Sequence, residues 1–400
     1  MGVNISYMGT KKELAPVVCD VIRHAQHGVL LDAFSGMCSV GEHVGTSRQV
    51  WSNDIQIFAA QTAQALFTSR DEAPGAILSA DLHFDFFKQH KLLLQNKCSQ
   101  SIIAEKRLLE SEQYPAFTKH KELLAKTLAY ETLSLNDGDY NLFTRLYANS
   151  YFGVAQAIGI DSIIKSINII HDTSQSSSDH KRWFLIALGR AMLKIANSTG
   201  HFAQFLKPKP SIYRKFIKQR QRDIWEEWLF SLGELHAVGT ADWRRANKSF
   251  NCDSLTLLPR LAKQKEKPSV IYADPPYTDD QYSRYYHIFE TLILYDYPQI
   301  SGAGLYRPNR FRTPFSLKSR AAQAFEDLVG SAAKTGADLV LSYPTNGLVY
   351  ETGLDPKTLL TKHYRKVECS HSLSHVHSTF GASKGPATST VTEQIYLAQS

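Results

Sequence analysis

Asp274, Pro275, Pro276 and Tyr277 stand directly after the apolar run Val270, Ile271, Tyr272, Ala273. Such a run reads as a buried strand, and open α/β sheets bind ligands beyond the carboxyl ends of their strands. The carboxylate accepts a hydrogen bond from an amino group. Proline has no N–H, so the Pro-Pro turn offers acceptors without a competing donor, and the Pro275 carbonyl can take a second amino hydrogen. The Tyr277 ring can stack on a flat base. The four residues together suit an exocyclic amine on a planar ring. Such a nitrogen is a poor nucleophile because its lone pair is delocalised, and two acceptors on its hydrogens favour a pyramidal, more reactive form. Attack on a sulfonium methyl is then an in-line displacement that needs positioning and charge stabilisation rather than a covalent intermediate.

The elements that must position this turn begin upstream. Thr10 and Glu13 have capping-box spacing, and Leu14, Val17, Val18, Val21 and Ile22 fall at helical intervals, with Pro16 expected to disturb the first turn and Gly28 to end the segment. A strand, Val29–Leu31, enters the loop Asp32, Ala33, Phe34, Ser35, Gly36, which runs through Cys38 and Ser39 to Gly41 before a short helix. A second strand, Gln49–Ser52, ends in Asn53 and Asp54, and an alanine-rich helix follows. Strand, glycine loop, helix, strand and acid make half of a doubly wound nucleotide-binding unit. An acid so placed can accept hydrogen bonds from ribose hydroxyls, although acids also end strands simply as turn residues.

From about 86 to 245 helical periodicity dominates, as in KHKELLAKTLAYETL and SIIKSINII, with SQSSSD read as a solvated loop. The stretch from His201 to Trp228 carries Lys207, Lys209, Arg214 and Lys215, interleaved with Phe202, Phe205, Tyr213 and Phe216. Cations among aromatics fit phosphate contacts and base stacking; a solvated amphipathic helix is the plainer account from Tyr213 onward. After 245 strands return: SFNC before Asp253, then Val270–Ala273, Asp338–Tyr343, His363–Glu368, and Thr392–Ala398, expected antiparallel at the far edge of the sheet. The predicted fold class is α/β, a doubly wound Rossmann-like sheet. It is split into 1–85 and 245–400, with 86–244 a helical insertion.

Composition narrows the class. Hydrophobic residues at 43% and charged residues at 21% are ordinary for a globular chain, and the absence of a long apolar run argues against a membrane span. MGVNISYMGTKKEL has no apolar signal-peptide core, so cytoplasmic residence is expected. Five scattered cysteines, none in a CxxC pair, argue against a disulfide framework and a structural zinc. His371, His375 and His377 read as surface residues rather than metal ligands, and no metal is expected. The net charge of +7 is compatible with a polyanionic partner.

DPPY after a strand, together with DAFSGMCSVG, resembles the amino-methyltransferases that use S-adenosylmethionine. SYMGTKKEL resembles the first motif of the DNA adenine methylase family, and the order of motifs matches as well. The resemblance covers residues 1–85 and 245–400. It implies that Asp32, Phe34 and Gly36 border the methionine part of the cofactor, that Asp54 holds its ribose and that Asp253 holds its adenine amino group. Tyr7 and Lys11 would sit at the cofactor and target pocket, and Asp274, Pro275, Pro276 and Tyr277 would form the catalytic pocket. Cys38 stands where the family loop carries its second glycine, and its side chain is expected to narrow the approach to the cofactor.

Asp at position 274 favours adenine N6 over cytosine N4, and without a Pro-Cys dipeptide the thiolate chemistry of C5-cytosine methylation has no nucleophile. The expected substrate is double-stranded DNA, with the adenine flipped from the stack. RNA adenine is the alternative, and a DNA-binding protein with a dead pocket is the non-enzymatic one, against which the intact tetrad speaks. Tyr282 and His287 are expected to approach the target nucleotide, unless this helix simply buries Ile288, Leu292 and Leu294. A monomer is expected, with a cognate restriction or defence-system protein as a further partner.

Overall fold

The structure, a computed structural model, describes residues 13–136, 138–378 and 388–400. Tyr7, Thr10 and Lys11 lie outside the described residues. Seven strands form one sheet: β1 (Leu30–Asp32), β2 (Val50–Asn53), β3 (Lys248–Phe250), β4 (Val270–Ala273), β5 (Asp338–Pro344), β6 (Lys366–Ser378) and β7 (Thr388–Gln399). The first helices are α1 (Ala15–Arg23), α2 (Ser39–Val44) and α3 (Ile57–Phe67). The long helical segment holds α4 (Ala76–Lys97), α5 (Ser99–Leu109), α6 (Tyr114–Leu133), α7 (Leu142–Leu146), α8 (Val154–Asp172) and α9 (Ser178–Ile195). It closes with α10 (Tyr213–Arg220), α11 (Ile224–Glu234) and α12 (Ala241–Arg245). The remaining helices are α13 (Ser254–Ala262), α14 (Ser283–Leu294), α15 (Lys318–Ala333), α16 (Leu348–Glu351) and α17 (Pro356–His363).

Strand order is β3-β2-β1-β4-β5-β7-β6. The first five strands run parallel, and β7 is antiparallel to both β5 and β6. The chain winds one way from β1 and the other way from β4, so the two centre strands border the switch point at which doubly wound sheets bind ligands. Leu30 pairs with Val270, Leu31 with Ile271 and Asp32 with Tyr272. The loops after Asp32 and after Ala273 therefore leave the sheet side by side.

Strand residues alternate between two cores, as the two-residue pleat requires. Leu30, Val50, Val270, Tyr272 and Val340 face α1, α3, α8, α9 and α14. Leu31, Trp51, Ile271, Ala273, Leu339 and Leu341 face α13, α15 and α17. A third cluster joins α5, α6 and α10 to the end of α4 and the start of α8. Gly189 of α9 packs directly against α3: a Cβ there would lie 2.7 Å from the Phe58 ring, which itself stacks on Phe289 at 4.4 Å.

Several expectations change. Helix α1 begins at Ala15 without a side-chain cap, and Pro16 sits in the first turn, where its missing N–H costs nothing. Gly41 lies inside α2 rather than before it. Helix α4 starts at Ala76 and runs across residue 85. His363 ends α17, and the strand expected from there begins only at Lys366. The last strand is not at the edge: β7 is inserted between β5 and β6. It forms the inner arm of a hairpin whose outer arm completes the sheet, a pairing the alternation within either strand does not reveal.

Candidate active site

Among the described residues, one cleft of about 1020 Å³, its open mouth included, lies at the switch point. That is ample for a nucleotide-sized ligand. It is lined by Asp32, Phe34, Gly36, Asp54, Asp253, Asp274, Pro275, Pro276, Tyr277 and Tyr282. Residues from four strand ends thus meet in one place.

Hydrogen bonds stitch these ends together. Asp54 accepts from the Gly36 N–H at 2.9 Å through Oδ2 and from the Gln56 N–H at 2.8 Å through Oδ1. It thereby holds the loop after β1 against the start of α3, with further lone pairs on each oxygen still open to a hydroxyl donor. Gly36 has φ +47°, a left-handed conformation that glycine adopts without a Cβ penalty. Asp253 caps α13, accepting from the Leu255 N–H at 3.0 Å, so its cavity-facing carboxyl is fixed by the helix start. Ser254 Oγ and Asn53 Nδ2 both donate to the Ala33 carbonyl, at 2.7 and 3.1 Å.

The electrostatics are set by crowded carboxyls. Asp32 is 2% exposed, and its Oδ1 is buried without a hydrogen-bond partner among the described residues. Burial pushes its acid up to about 8, the Phe34 backbone N–H opposes this, and Asp274 and Asp54 add to the rise. Burial also pushes Asp54 up to about 6 against the N–H groups that bind it. A ligand that brings positive charge or amino donors relieves this arrangement; an anion aggravates it.

Cys38 departs from expectation. Its side chain is fully buried in the sheet-face core and does not line the cleft. The backbone accommodates it at φ +67°, as the residue before α2. The cost is local strain rather than a narrower cavity.

The DPPY turn is held from both sides. The Tyr277 carbonyl accepts from the Leu348 N–H at 2.8 Å. Gln281 and Thr313 exchange bonds of 2.8 and 3.3 Å. Phe315 packs edge-on against Phe34 at 5.7 Å. Tyr282 lines the cleft, and burial, with Tyr277 and Asp274 beside it, holds its phenol well above the ordinary value. Composition gave no sign of the far wall: Phe311, Thr313 and Phe315 also line the cleft, reaching it from a segment more than thirty residues beyond the turn. Two phenylalanines bracketing a proline, FRTPF, are the signal in the sequence.

His287 is not where it was expected. It is fully buried, its Nε2 bonds the Phe202 carbonyl at 2.9 Å, and burial pulls its pKa down to about 3. It is a neutral core residue among Tyr147, Tyr151 and Tyr306. Ile288 and Leu292 are buried with it, while Leu294 is 42% exposed. The aromatics of the basic stretch are likewise structural: Phe202, Tyr213 and Phe216 are buried and Phe205 half-buried, so they offer no stacking surface. Lys207, Lys209, Arg214 and Lys215 are exposed.

A family model described as D12 class N6 adenine-specific DNA methyltransferase matches residues 7–162 and 245–338. The chain belongs to that family. The D12 match takes in both the β1 loop and the DPPY turn, and it interrupts itself within the helical segment. Among similar curated proteins are the modification methylase LlaI of Lactococcus lactis subsp. lactis, 24% identical, and the modification methylase StsI of Streptococcus sanguinis, 23% identical. The alignments cover 86% and 87% of this chain but 46% and 45% of those proteins, so the D12 chain spans about half their length. The type II methyltransferase M.NlaIII of Neisseria lactamica is 23% identical over 86% of this chain and 85% of its own. None of the described helices is long and apolar enough to cross a membrane.

Proposed function

We propose that this chain transfers a methyl group from S-adenosylmethionine to the N6 amino group of adenine in double-stranded DNA. The observation that carries the reading is the meeting of Asp32, Asp54, Asp253 and Asp274–Tyr277 in one cleft of a chain from an adenine-methyltransferase family.

The cleft suits the cofactor. The buried Asp32 Oδ1, without a hydrogen-bond partner among the described residues, is an acceptor suited to an ammonium group. Asp54 and Asp253 would take the ribose hydroxyls and the adenine amino group, and Phe34, Met37, Val40 and Ile55 supply apolar wall. Bound there, S-adenosylmethionine supplies the electrophilic methyl group. Asp274 and the Pro275 carbonyl would hold the two hydrogens of the target amine, Tyr277 would stack on the base, and the aromatic walls would exclude water. The proton leaves readily once the nitrogen is cationic, so Asp274 acts as an acceptor and need not be a strong base.

Tyr7 and Lys11 would complete the pocket, as the family resemblance implies. The helical segment, nominally 86–244, would grip the duplex as a target-recognition insertion, with exposed Lys207, Lys209, Arg214 and Lys215 on phosphates. LlaI and StsI are modification methylases, which supports a modification role for this chain; action in the cytoplasm and a cognate restriction or defence-system protein as partner belong to the same proposal.

The test is methyl incorporation from labelled cofactor into duplex DNA and structured RNA in competition. We expect label in duplex adenine. Asp274→Asn should lower turnover at least a hundredfold, about 2.7 kcal/mol of transition-state stabilisation, while cofactor affinity holds. Label confined to RNA, or undiminished turnover by the variant, overturns the reading.

A further inference from the structure

The segment 301–313, SGAGLYRPNRFRT, leaves α14 by a short loop and returns to the cleft. Its base is firmly tied. Ser301 and Tyr306 exchange backbone bonds of 2.9 and 2.8 Å, and the Tyr306 hydroxyl donates to the Ala203 carbonyl at 2.6 Å. Arg307 forks onto Asp296, with contacts of 3.3 and 2.7 Å. At the other end Thr313 is locked to Gln281. Leu305 and Asn309 are both left-handed, at φ +52° and +54°. A leucine held there costs on the order of 1 kcal/mol, a strain that the surrounding anchors must offset.

The tip is different. Arg310 and Arg312 have no carboxylate partner among the described residues. Arg310 makes one hydrogen bond, Nε to the Arg307 carbonyl at 3.3 Å, and lies 4.5 Å over the Tyr306 ring. Arg284 approaches the same ring at 5.9 Å, and its nearest acid, Asp280, is 3.6 Å away. Burial lowers the proton affinity of Arg310; Tyr306 raises it, and nearby Arg284 and Arg312 lower it further. Two guanidiniums, Arg284 and Arg310, thus share one aromatic ring, Arg312 lies near enough to Arg310 to repel it, and Phe311 between Arg310 and Arg312 lines the cleft, while Arg307 is neutralised by Asp296.

We propose that Arg284, Arg310 and Arg312 are a phosphate clamp that holds the phosphodiesters flanking the nucleotide whose base enters the cleft. The proposal rests on the methyltransferase reading and names where the target strand is gripped. A guanidinium fork matches phosphate oxygens in two parallel hydrogen bonds, and like charges brought together in advance become favourable once an anion arrives. Extruding a base costs stacking and pairing energy, which contacts to the neighbouring phosphates help repay. Such contacts position the strand without reading its sequence.

The test compares the wild-type chain with R310Q/R312Q and R310K/R312K. Duplex affinity is measured by fluorescence anisotropy across salt concentrations, methyl transfer by KM and kcat, and S-adenosylhomocysteine binding by calorimetry. The double glutamine variant should lower the slope of log affinity against log salt by about 2, one unit per lost phosphate contact. Its KM for duplex DNA should rise tenfold or more, the lysine variant should recover the slope, and S-adenosylhomocysteine affinity should stay as it was. An unchanged slope overturns the clamp. So does a loss of S-adenosylhomocysteine affinity at constant slope, which would assign the cluster to the cofactor. If the wild-type chain binds duplex but methylates nothing, the proposed function fails, and the slopes still decide the clamp.

Discussion

Replacing Asp32 with asparagine keeps the shape of a buried side chain and removes its charge. In the folded chain the carboxyl holds its proton up to about 8, whereas in an unfolded chain it titrates near 3.9. The folded state therefore binds more protons between those values. Stability from this group is fully present below pH ~4 and is lost as pH rises through about 8. The slope approaches about 1.4 kcal/mol per pH unit, so the wild-type chain loses roughly 2 to 3 kcal/mol between pH 6 and 8, because the unfolded form is ionised there while folded Asp32 keeps its proton. Asp32→Asn escapes that cost. Urea unfolding at pH 5, 6, 7 and 8 should show the variant gaining on the wild type at each step. The same substitution should weaken S-adenosylhomocysteine binding on the order of tenfold to a hundredfold, since an ammonium loses a charged acceptor. A stability gap that does not change with pH, or a wild type more stable at pH 8, would refute the account of Asp32 as a carboxyl held against its preference.

Glu290 reaches from α14 to cap α3, its Oε1 accepting from the Phe58 N–H at 2.9 Å, and burial pushes it up to about 7. Glu290→Gln keeps an acceptor and should match or exceed wild-type stability at pH 8, whereas Glu290→Ala should lose about 1 to 2 kcal/mol in urea unfolding. Gly189→Ala drives a methyl group into the Phe58 ring and should cost about 1 to 3 kcal/mol, read as a lower thermal midpoint. Arg220 is buried 3.6 Å from Glu105, which caps α8 through the Val154 and Ala155 N–H groups. Arg220→Ala strands that carboxylate and should cost about 3 to 5 kcal/mol by the same measurement.

How much of this was legible depended on whether a residue acts through local pattern or through a distant return of the chain. Strands β1, β2 and β4 announce themselves because a parallel strand buried on both faces must be apolar throughout, and each stops at an acid or Asn-Asp pair. Asp32, Asp54, Asp253 and Asp274 share the cleft because strand ends in a parallel sheet share one edge. His287 could not be placed that way. It lies one turn beyond Ser283, and only the Phe202 carbonyl, returning from 85 positions away, makes it a core residue. The position of β7 is equally nonlocal, fixed by its antiparallel pairing with β5 on one side and β6 on the other. The Arg310–Arg312 tip carries no local signal, because a charged loop is ordinary until its neighbours are known.

One hydrophobic core runs from the sheet into the long helical segment. Helices α8 and α9 contribute Ile160, Ile163, Phe184 and Leu188 to the same cluster as Leu30 and Val270. Helices α5, α6 and α10 form a separate cluster, which Leu94 of α4 and Val154 and Ile158 of α8 join. A chimera that swaps in a relative's helical segment should therefore exchange α5 and α6, keep a carboxylate at position 105 to cap α8, and retain α8 and α9. Excising everything between α3 and β3 would strip one side of the sheet, and the donor's module would arrive on a scaffold that no longer folds.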